Sequence, residues 1–205
     1  MNFLAHAFLA RHTDAAMVGA LLGDFAKADA WTAYPPPVAL EIIVHRQVDS
    51  FTDSHPATLE ALALFAPARR RFAGIALDVF YDHLLSRHWA QYSDLPRRQF
   101  IAQFYAALLA HDAILPERLR AILPSLVGHD WLARYHHMDG VAWAVTRMSQ
   151  RLSKNGQLLR DCLPDLHAHY GALEALFDAF FPELVAFVPA ARARVLAGRA
   201  LPRPG

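Results

Sequence analysis

Cysteine is almost missing from this 205-residue chain, which holds a single copy, Cys162. One thiol cannot form an internal disulfide, and it cannot build a thiolate metal cluster within one chain. Any metal bound by this protein is therefore expected to use histidine and carboxylate ligands.

Long hydrophobic runs are missing as well, although 55% of the residues are apolar and the mean hydropathy is +0.15. No uninterrupted apolar stretch approaches the roughly 18 to 20 residues that span a bilayer. The first residues show no basic leader before their short apolar run. We therefore expect no membrane span and a cytoplasmic location.

Several functional signatures are also absent. The net charge of +1 provides no field that would attract nucleic acid, and no basic stripe alternates with aromatic residues. The sequence contains no GxxxxGK[ST] loop, no GxSxG elbow and no GxGxxG turn. These absences argue against nucleic-acid binding, nucleoside triphosphatases, serine hydrolases and dinucleotide-dependent enzymes.

What is present favours an all-α fold. Ala, Leu and Arg dominate, β-branched residues are sparse, and apolar positions recur every three or four residues. We expect one compact helical domain over residues 1–198 and a disordered tail over 199–205; the oligomeric state is not predicted. The predicted helices cover 2–11, 14–28, 37–53, 56–65, 67–90, 96–112, 116–125, 139–153 and 164–198, the last broken at Pro182.

Two helices carry the polar side chains best suited to chemistry. His45, Asp49 and Asp53 follow one another at four-residue intervals and share one helical face. On a second helix Asp78 and Asp82 lie one turn apart, and His83 follows in an apolar setting. Buried carboxylates are costly unless paired, hydrogen-bonded or bound to a metal. The pattern therefore predicts an open histidine and carboxylate metal site, suited to Mn, Fe or Zn.

A structural interpretation stays open for both helices. In it the polar residues form a solvated helix face and make i,i+4 hydrogen bonds with one another. His6 and Asp24 are two further candidates, although a lone polar residue of this kind is more often a satisfied core group. The literal His-Asp dipeptides at 111–112 and 129–130 are discounted, because about one such pair arises by chance.

Four segments together resemble the acyl carrier protein phosphodiesterase family, in order and in spacing. The resemblance extends more weakly through Trp131, Met138 and the region of Asp165, and so covers about residues 1 to 190. The four segments are Met1-Asn-Phe-Leu-Ala-His6, Leu21-Leu-Gly-Asp24-Phe25, His45-Arg-Gln-Val-Asp49-Ser-Phe-Thr-Asp53 and Leu77-Asp78-Val-Phe-Tyr-Asp82-His83-Leu-Leu-Ser-Arg-His88-Trp89.

This resemblance implies an all-helical fold related to the HD phosphohydrolases, although Asp82 precedes His83 instead of following a histidine. It further implies hydrolysis of the bond between 4'-phosphopantetheine and holo acyl carrier protein with a divalent cation, Mn in preference to Mg or Fe. The metal ligands that it implies are His6, Asp24, His45, Asp49, Asp82 and His83. Reacting roles are expected for Asp24, Asp78 and His88, the last as an acid for the leaving group.

The partner implied by the resemblance, an acidic carrier protein, calls for a local positive patch. The candidates are Arg69, Arg70 and Arg71, followed by Arg192, Arg194 and Arg199; a solvated helix face is an equally good interpretation of all six. Two other functions remain as alternatives. One is a metal phosphohydrolase acting on nucleotides or another small phosphoester, and the other is a non-catalytic module that binds carrier protein.

Overall fold

The computed structural model describes residues 1–27 and 29–200. Within these ranges the regular elements are helices, and no strand is found, which confirms the predicted all-α domain. The α-helices are α1 Phe3–Leu9, α2 Asp14–Leu22, α3 Ala30–Ala33, α4 Pro36–Ser54, α5 Pro56–Ala63, α6 Arg70–Arg87, α7 Trp89–Tyr92, α8 Arg97–Ala110, α9 Glu117–Gly128, α10 Trp131–Arg134, α11 Met138–Arg151, α12 Gly156–Arg160, α13 Cys162–Ala168 and α14 Tyr170–Ala200.

The pair α2 and α4 forms one side of the site, and the two helices pack closely along each other. Gly19 permits this approach, because a Cβ at that position would lie only 2.4 Å from the carbonyl oxygen of Val38. On the other side α1 packs against both α2 and α6. The core between these helices is almost entirely apolar, and Leu4, Phe8 and Ile42 are fully buried.

The predicted helix over 14–28 is too long. In the structure α2 ends at Leu22 and a turn follows through Asp24 and Phe25, while Ala28 lies outside the described residues. Gly23 stands at this end, where the chain leaves the helix. Because of this turn the carboxylate of Asp24 lies beside α4, 3.5 Å from Nε2 of His45. A continued α2 would have carried Asp24 along its own axis instead.

The predicted break at Pro182 is wrong, since α14 continues through Pro182 and Pro189. The chain breaks earlier, at His169, between α13 and α14. A proline within a helix costs about 3 kcal/mol. Burial of a large apolar side chain is worth about 1.5–3 kcal/mol, and Phe177, Phe180 and Phe181 are all fully buried beside Pro182. Packing therefore outweighs the local cost.

The predicted tail over 199–205 is described only in part. The backbone of residues 199 and 200 continues α14, and residues 201–205 lie outside the described residues, as does the side chain of Arg199. Among the helices described here, none combines the length and the apolarity needed to cross a bilayer.

Candidate metal centre

Two histidines and one carboxylate converge where α1 meets α4. The Nε2 atoms of His6 and His45 lie 3.1 Å and 3.0 Å from the two carboxylate oxygens of Asp49. The two imidazole rings are stacked, with centroids 3.8 Å apart. One ligand atom from each residue can be chosen so that all three lie within 4.8 Å of one another, and no other such group occurs within residues 1–27 and 29–200. We call these three residues the His6–His45–Asp49 cluster.

The position of His45 depends on the end of α2. Its Nδ1 donates to the carbonyl oxygen of Ala20 at 2.6 Å, so the proton on Nδ1 is fixed and Nε2 turns toward Asp49. Gly23 packs directly on this ring, because a Cβ there would lie 2.1 Å from Cγ of His45. Sequence reasoning singled out the Leu21-Leu-Gly-Asp24 segment but assigned nothing to its glycine, although a glycine beside a candidate ligand is the signal of such a close approach.

Charge is divided unequally within the cluster. Burial, assisted by the neighbouring His45, lowers the pKa of His6 to about 4. Burial also opposes the charged form of His45, but hydrogen bonds to Asp24 and Asp49 outweigh it and raise its pKa to about 9. Burial likewise disfavours the Asp49 anion, yet the two histidines hold the pKa of that carboxyl well below its usual range. The cluster thus retains one positive charge on an imidazole between anionic carboxylates.

This arrangement fits a divalent cation. The Nε2 of His6 is buried and 3.1 Å from Asp49, but it is not aligned for a hydrogen bond and has no other partner in the described protein. An orphaned imidazole nitrogen is a ligand atom without a competing contact. Two imidazoles and a carboxylate are a donor set that first-row metals accept, and the cation would replace the proton on His45.

Asp24 and Asp78 flank the cluster from two sides. Asp24 lies 3.5 Å from Nε2 of His45, and its side chain is 44% exposed, so it can reach solvent as well as a bound cation. Asp78 on α6 pairs with the buried α-amino group of Met1 at 2.8 Å, and that amino group lies 3.7 Å from Asp49. Burial raises the pKa of Asp78 despite this amine.

Asp82 is not part of the His6–His45–Asp49 cluster, and its role as a metal ligand stays a prediction. Its two oxygens accept the backbone N–H groups of Leu4 and Ala5 at 2.8 Å and 2.9 Å. These groups lie in the first turn of α1, where N–H groups have no partner within the helix. Asp82 therefore caps and orients the helix that carries His6.

His83 and His88 likewise have other partners. The ring of His83 contacts the carbonyl oxygen of Tyr135 through Nδ1 at 2.7 Å and the hydroxyl of Tyr170 through Nε2 at 2.9 Å. His88 lies between Glu174 and Asp178 of α14, at 2.8 Å and 3.0 Å. The structure therefore uses both histidines to connect α6 with neighbouring elements and does not bring them to the cluster.

The predicted arginine patch is also largely engaged within the fold. Arg69 forms a two-pronged pair with Asp165, with both contacts at 2.7 Å. Arg70 donates to two backbone carbonyl oxygens, and Arg192 pairs with the buried Glu41. These contacts give the arginines a role within the fold, and docking of an acidic partner on them stays a prediction.

The cluster is reachable from solvent. Asp49 is 37% exposed and lines an open depression together with Arg46, Ser50, Asp53 and Ser54. His6 and His45 do not line this depression; they lie buried behind Asp49, since both side chains are only 2% exposed. A molecule in this depression would therefore reach the cluster through Asp49.

Comparison with known proteins identifies the family of this chain. The family model for acyl carrier protein phosphodiesterase matches residues 1–184. The acyl carrier protein phosphodiesterase of Salmonella dublin is 41% identical over 187 residues, which cover 91% of this chain and 96% of the relative. Its counterpart in Enterobacter sp. (strain 638) is 40% identical over 188 residues, covering 90% and 96%. No solved structure matches, so the relation to HD phosphohydrolases stays a prediction. On this evidence the chain belongs to the acyl carrier protein phosphodiesterase family.

Proposed function

We propose that this chain hydrolyses the phosphodiester between 4'-phosphopantetheine and a serine of holo acyl carrier protein, giving apo carrier protein and 4'-phosphopantetheine. The observation that carries the proposal is the His6–His45–Asp49 cluster, whose Asp49 lines an open depression. The names of the relatives supply the substrate class.

The cofactor that we propose is a divalent metal, with Mn as first choice from the family resemblance and Mg or Fe as alternatives. His6, His45 and Asp49 would hold it, and the exposed Asp24 is the fourth candidate ligand. When bound, such a cation supplies Lewis acidity toward the phosphodiester oxygens. The contact from Nδ1 of His45 to Ala20 orients the ring and leaves Nε2 on the side of Asp49, where it would be the ligand atom.

We assign proton transfer to Asp24. Burial works against its charge, but hydrogen bonding to His45 outweighs this and lowers its pKa, so Asp24 is anionic at neutral pH. Its exposed carboxylate can accept a proton from the water that attacks phosphorus. The bond from phosphorus to the serine oxygen then breaks, and the same proton can pass to that oxygen. Asp78 forms an ion pair with the α-amino group of Met1, and this pair lies next to the proposed site of reaction.

We also propose that the reaction takes place in the cytoplasm. The low use of cysteine, with one copy in the whole sequence, supports this proposal over a secreted protein built on disulfides.

The test is mass spectrometry of holo acyl carrier protein incubated with this protein and Mn. We expect the carrier protein to lose the mass of phosphopantetheine, and we expect no loss with a chelator or with the Asp49→Asn and Asp24→Ala variants. Asp14→Asn is the matched control, since Asp14 is an exposed carboxylate in the first turn of α2 and lies outside the site.

Two other outcomes would redirect the assignment. An unchanged carrier protein together with Mn-dependent release of phosphate from a nucleotide panel would make the protein a small-molecule phosphohydrolase. Tight binding of carrier protein without turnover and without bound metal would make it a binding module.

A further inference from the structure

The bond that is broken in the proposed reaction determines where the carrier protein must lie. In the holo form the phosphorus is bonded to the serine oxygen, so only that oxygen and one carbon separate it from the Cα of the serine. A carrier protein whose phosphate reaches Asp49 must therefore rest on the surface beside the depression that Asp49 lines. The arginines at the start of α6 are more distant, since Arg70 lies eight residues before Asp78, about 12 Å along that helix.

Three cationic side chains surround the turn that follows α2. The guanidinium of Arg46 donates to the carbonyl oxygens of Ala26 and Lys27 at 3.3 Å and 3.1 Å, which holds that turn against α4. The guanidinium of Arg118, on α9, lies 5.9 Å from the ring centre of Phe25 in the same turn. All three cationic residues are exposed. We call Lys27, Arg46 and Arg118 the basic rim.

The basic rim adjoins the metal-binding cluster. Arg46 follows His45 in α4 and lines the same depression as Asp49. Phe25 follows Asp24, whose carboxylate lies 3.5 Å from Nε2 of His45. A protein that presents a phosphate to the cluster would therefore meet the basic rim with the surface around that phosphate.

The charges of Lys27 and Arg118 are available to a partner. In the part of the chain that the structure describes, neither of them forms an ion pair with a carboxylate. Arginines elsewhere on the fold do form such pairs, namely Arg69, Arg98, Arg120 and Arg192. Binding of an acidic surface to Lys27 and Arg118 would therefore break no ion pair within the protein.

The depression is basic at one end and acidic at the other. Asp53 lies seven residues beyond Arg46 on α4, about 10 Å further along the helix, and lines the far end of the depression. Two acids adjoin the basic rim, Asp29 and Glu117, and both stand at helix N-termini, where the helix dipole offsets a negative charge. An acidic partner is thus attracted to the end that carries Arg46 and repelled from the end that carries Asp53.

We propose that the basic rim binds the acidic surface of the carrier protein around its modified serine, an inference that rests on the proposed function. Lys27 and Arg118 pair with carboxylates of the carrier protein, and Arg46 holds the turn beside the depression. The phosphate on the serine then points toward Asp49. Contacts of this kind steer the encounter and fix the orientation of the partner, and they take no part in the chemical step.

The experiment measures binding of apo carrier protein to this protein in the presence of Mn, by titration calorimetry at low ionic strength. The apo form lacks the phosphopantetheine arm, so it reports on the protein surface alone and cannot be hydrolysed. We expect the double variant Lys27→Glu, Arg118→Glu to bind about 10-fold more weakly, because each substitution replaces an attraction by a repulsion, and to show a flatter salt dependence. With holo carrier protein, KM should rise while kcat stays within about twofold.

Two control variants separate charge from shape and from position. The double variant Lys27→Arg, Arg118→Lys keeps both charges and should bind apo carrier protein like the wild type. Arg87→Glu makes the same change of charge on an exposed arginine at the end of α6, about 13 Å beyond Asp78, and should also bind like the wild type. Thermal unfolding of each variant verifies that it is folded.

Binding and turnover together separate this inference from the proposed function. Apo carrier protein that binds more weakly to the Glu double variant, without any hydrolysis of the holo form, would support the basic rim and reject the reaction. Hydrolysis of the holo form with unchanged affinity and KM in the Glu double variant would overturn the basic rim and keep the reaction. An equal loss of affinity in Arg87→Glu would also overturn it, because the effect would then follow from net charge and not from position.

Discussion

Replacing Gly23 by alanine tests how closely α2 must approach His45. The added Cβ would lie 2.1 Å from Cγ and 2.3 Å from Cδ2 of that ring. Carbon atoms in contact prefer about 3.5–4.0 Å, so the imidazole would have to retreat by more than about 1 Å. That movement would strain the 2.6 Å contact to Ala20 and the 3.0 Å contact to Asp49.

The net effect on stability should be a loss between about 0 and 2.6 kcal/mol, because two terms partly oppose each other. Gly23 already has right-handed helical backbone angles, so alanine fits there and restricts the unfolded chain, a gain of about 0.4–1 kcal/mol. Overpacking against the ring costs about 1–3 kcal/mol. The effect on function should be large, because a displaced ligand typically lowers metal affinity about 10- to 100-fold, and turnover can fall about 100-fold.

The assays are Mn titration calorimetry, turnover of holo carrier protein and thermal unfolding. Gly74→Ala is the matched control, since Gly74 lies within α6 and a Cβ there meets nothing within 4 Å. This control should stabilise the protein by about 0.5–1 kcal/mol and leave Mn affinity unchanged. A folded Gly23→Ala protein with wild-type Mn affinity and turnover would refute the assignment of His45 as a ligand.

Three further predictions concern residues that the structure places outside the cluster. Asp82→Ala should lower the free energy of unfolding by about 2–4 kcal/mol in urea titrations, because it leaves two buried N–H groups of α1 unpaired; a loss below about 0.5 kcal/mol would contradict the capping role. Burial lowers the pKa of His83 to about 4 from an ordinary 6.5, so the unfolded chain binds the extra proton first. Stability should fall by about 3 kcal/mol as pH drops from about 6.5 to 4, and a His83→Gln variant with an equally steep loss would reject this account. Arg69→Ala should lower the melting temperature through loss of the Asp165 pair, and the salt dependence of turnover should match that of the wild type; a flatter salt dependence would restore the docking role.

The helices and one half of the site could be predicted from the sequence. Periodicity alone identified α4 and the shared face of His45 and Asp49, because four residues make about one helical turn whatever surrounds them. The boundary of α2 and the continuous α14 could not be predicted in this way. The end of α2 lies at Gly23, which packs on the ring of His45, and the continuous α14 depends on packing energy that exceeds the local cost of Pro182.

In α6, too, the sequence predicted the helix but not the partners of its polar residues. Its sequence placed Asp78, Asp82 and His83 on an apolar helix, and each of them is in fact held by a polar partner. Sequence could not distinguish a metal ligand from a cap, because a buried carboxylate satisfies the same energetic need with a cation or with two N–H groups.

The sequence by itself determined the helical fold, the absence of a thiolate site and the polar face of α4, since these follow from residue types and from spacing along one helix. Only the tertiary structure decided that His6 joins His45 and Asp49 while Asp82 caps α1. It also decided that Arg46 and Arg118 meet at the turn after α2. These are contacts between distant parts of the chain, and they depend on how helices pack, which no local pattern encodes.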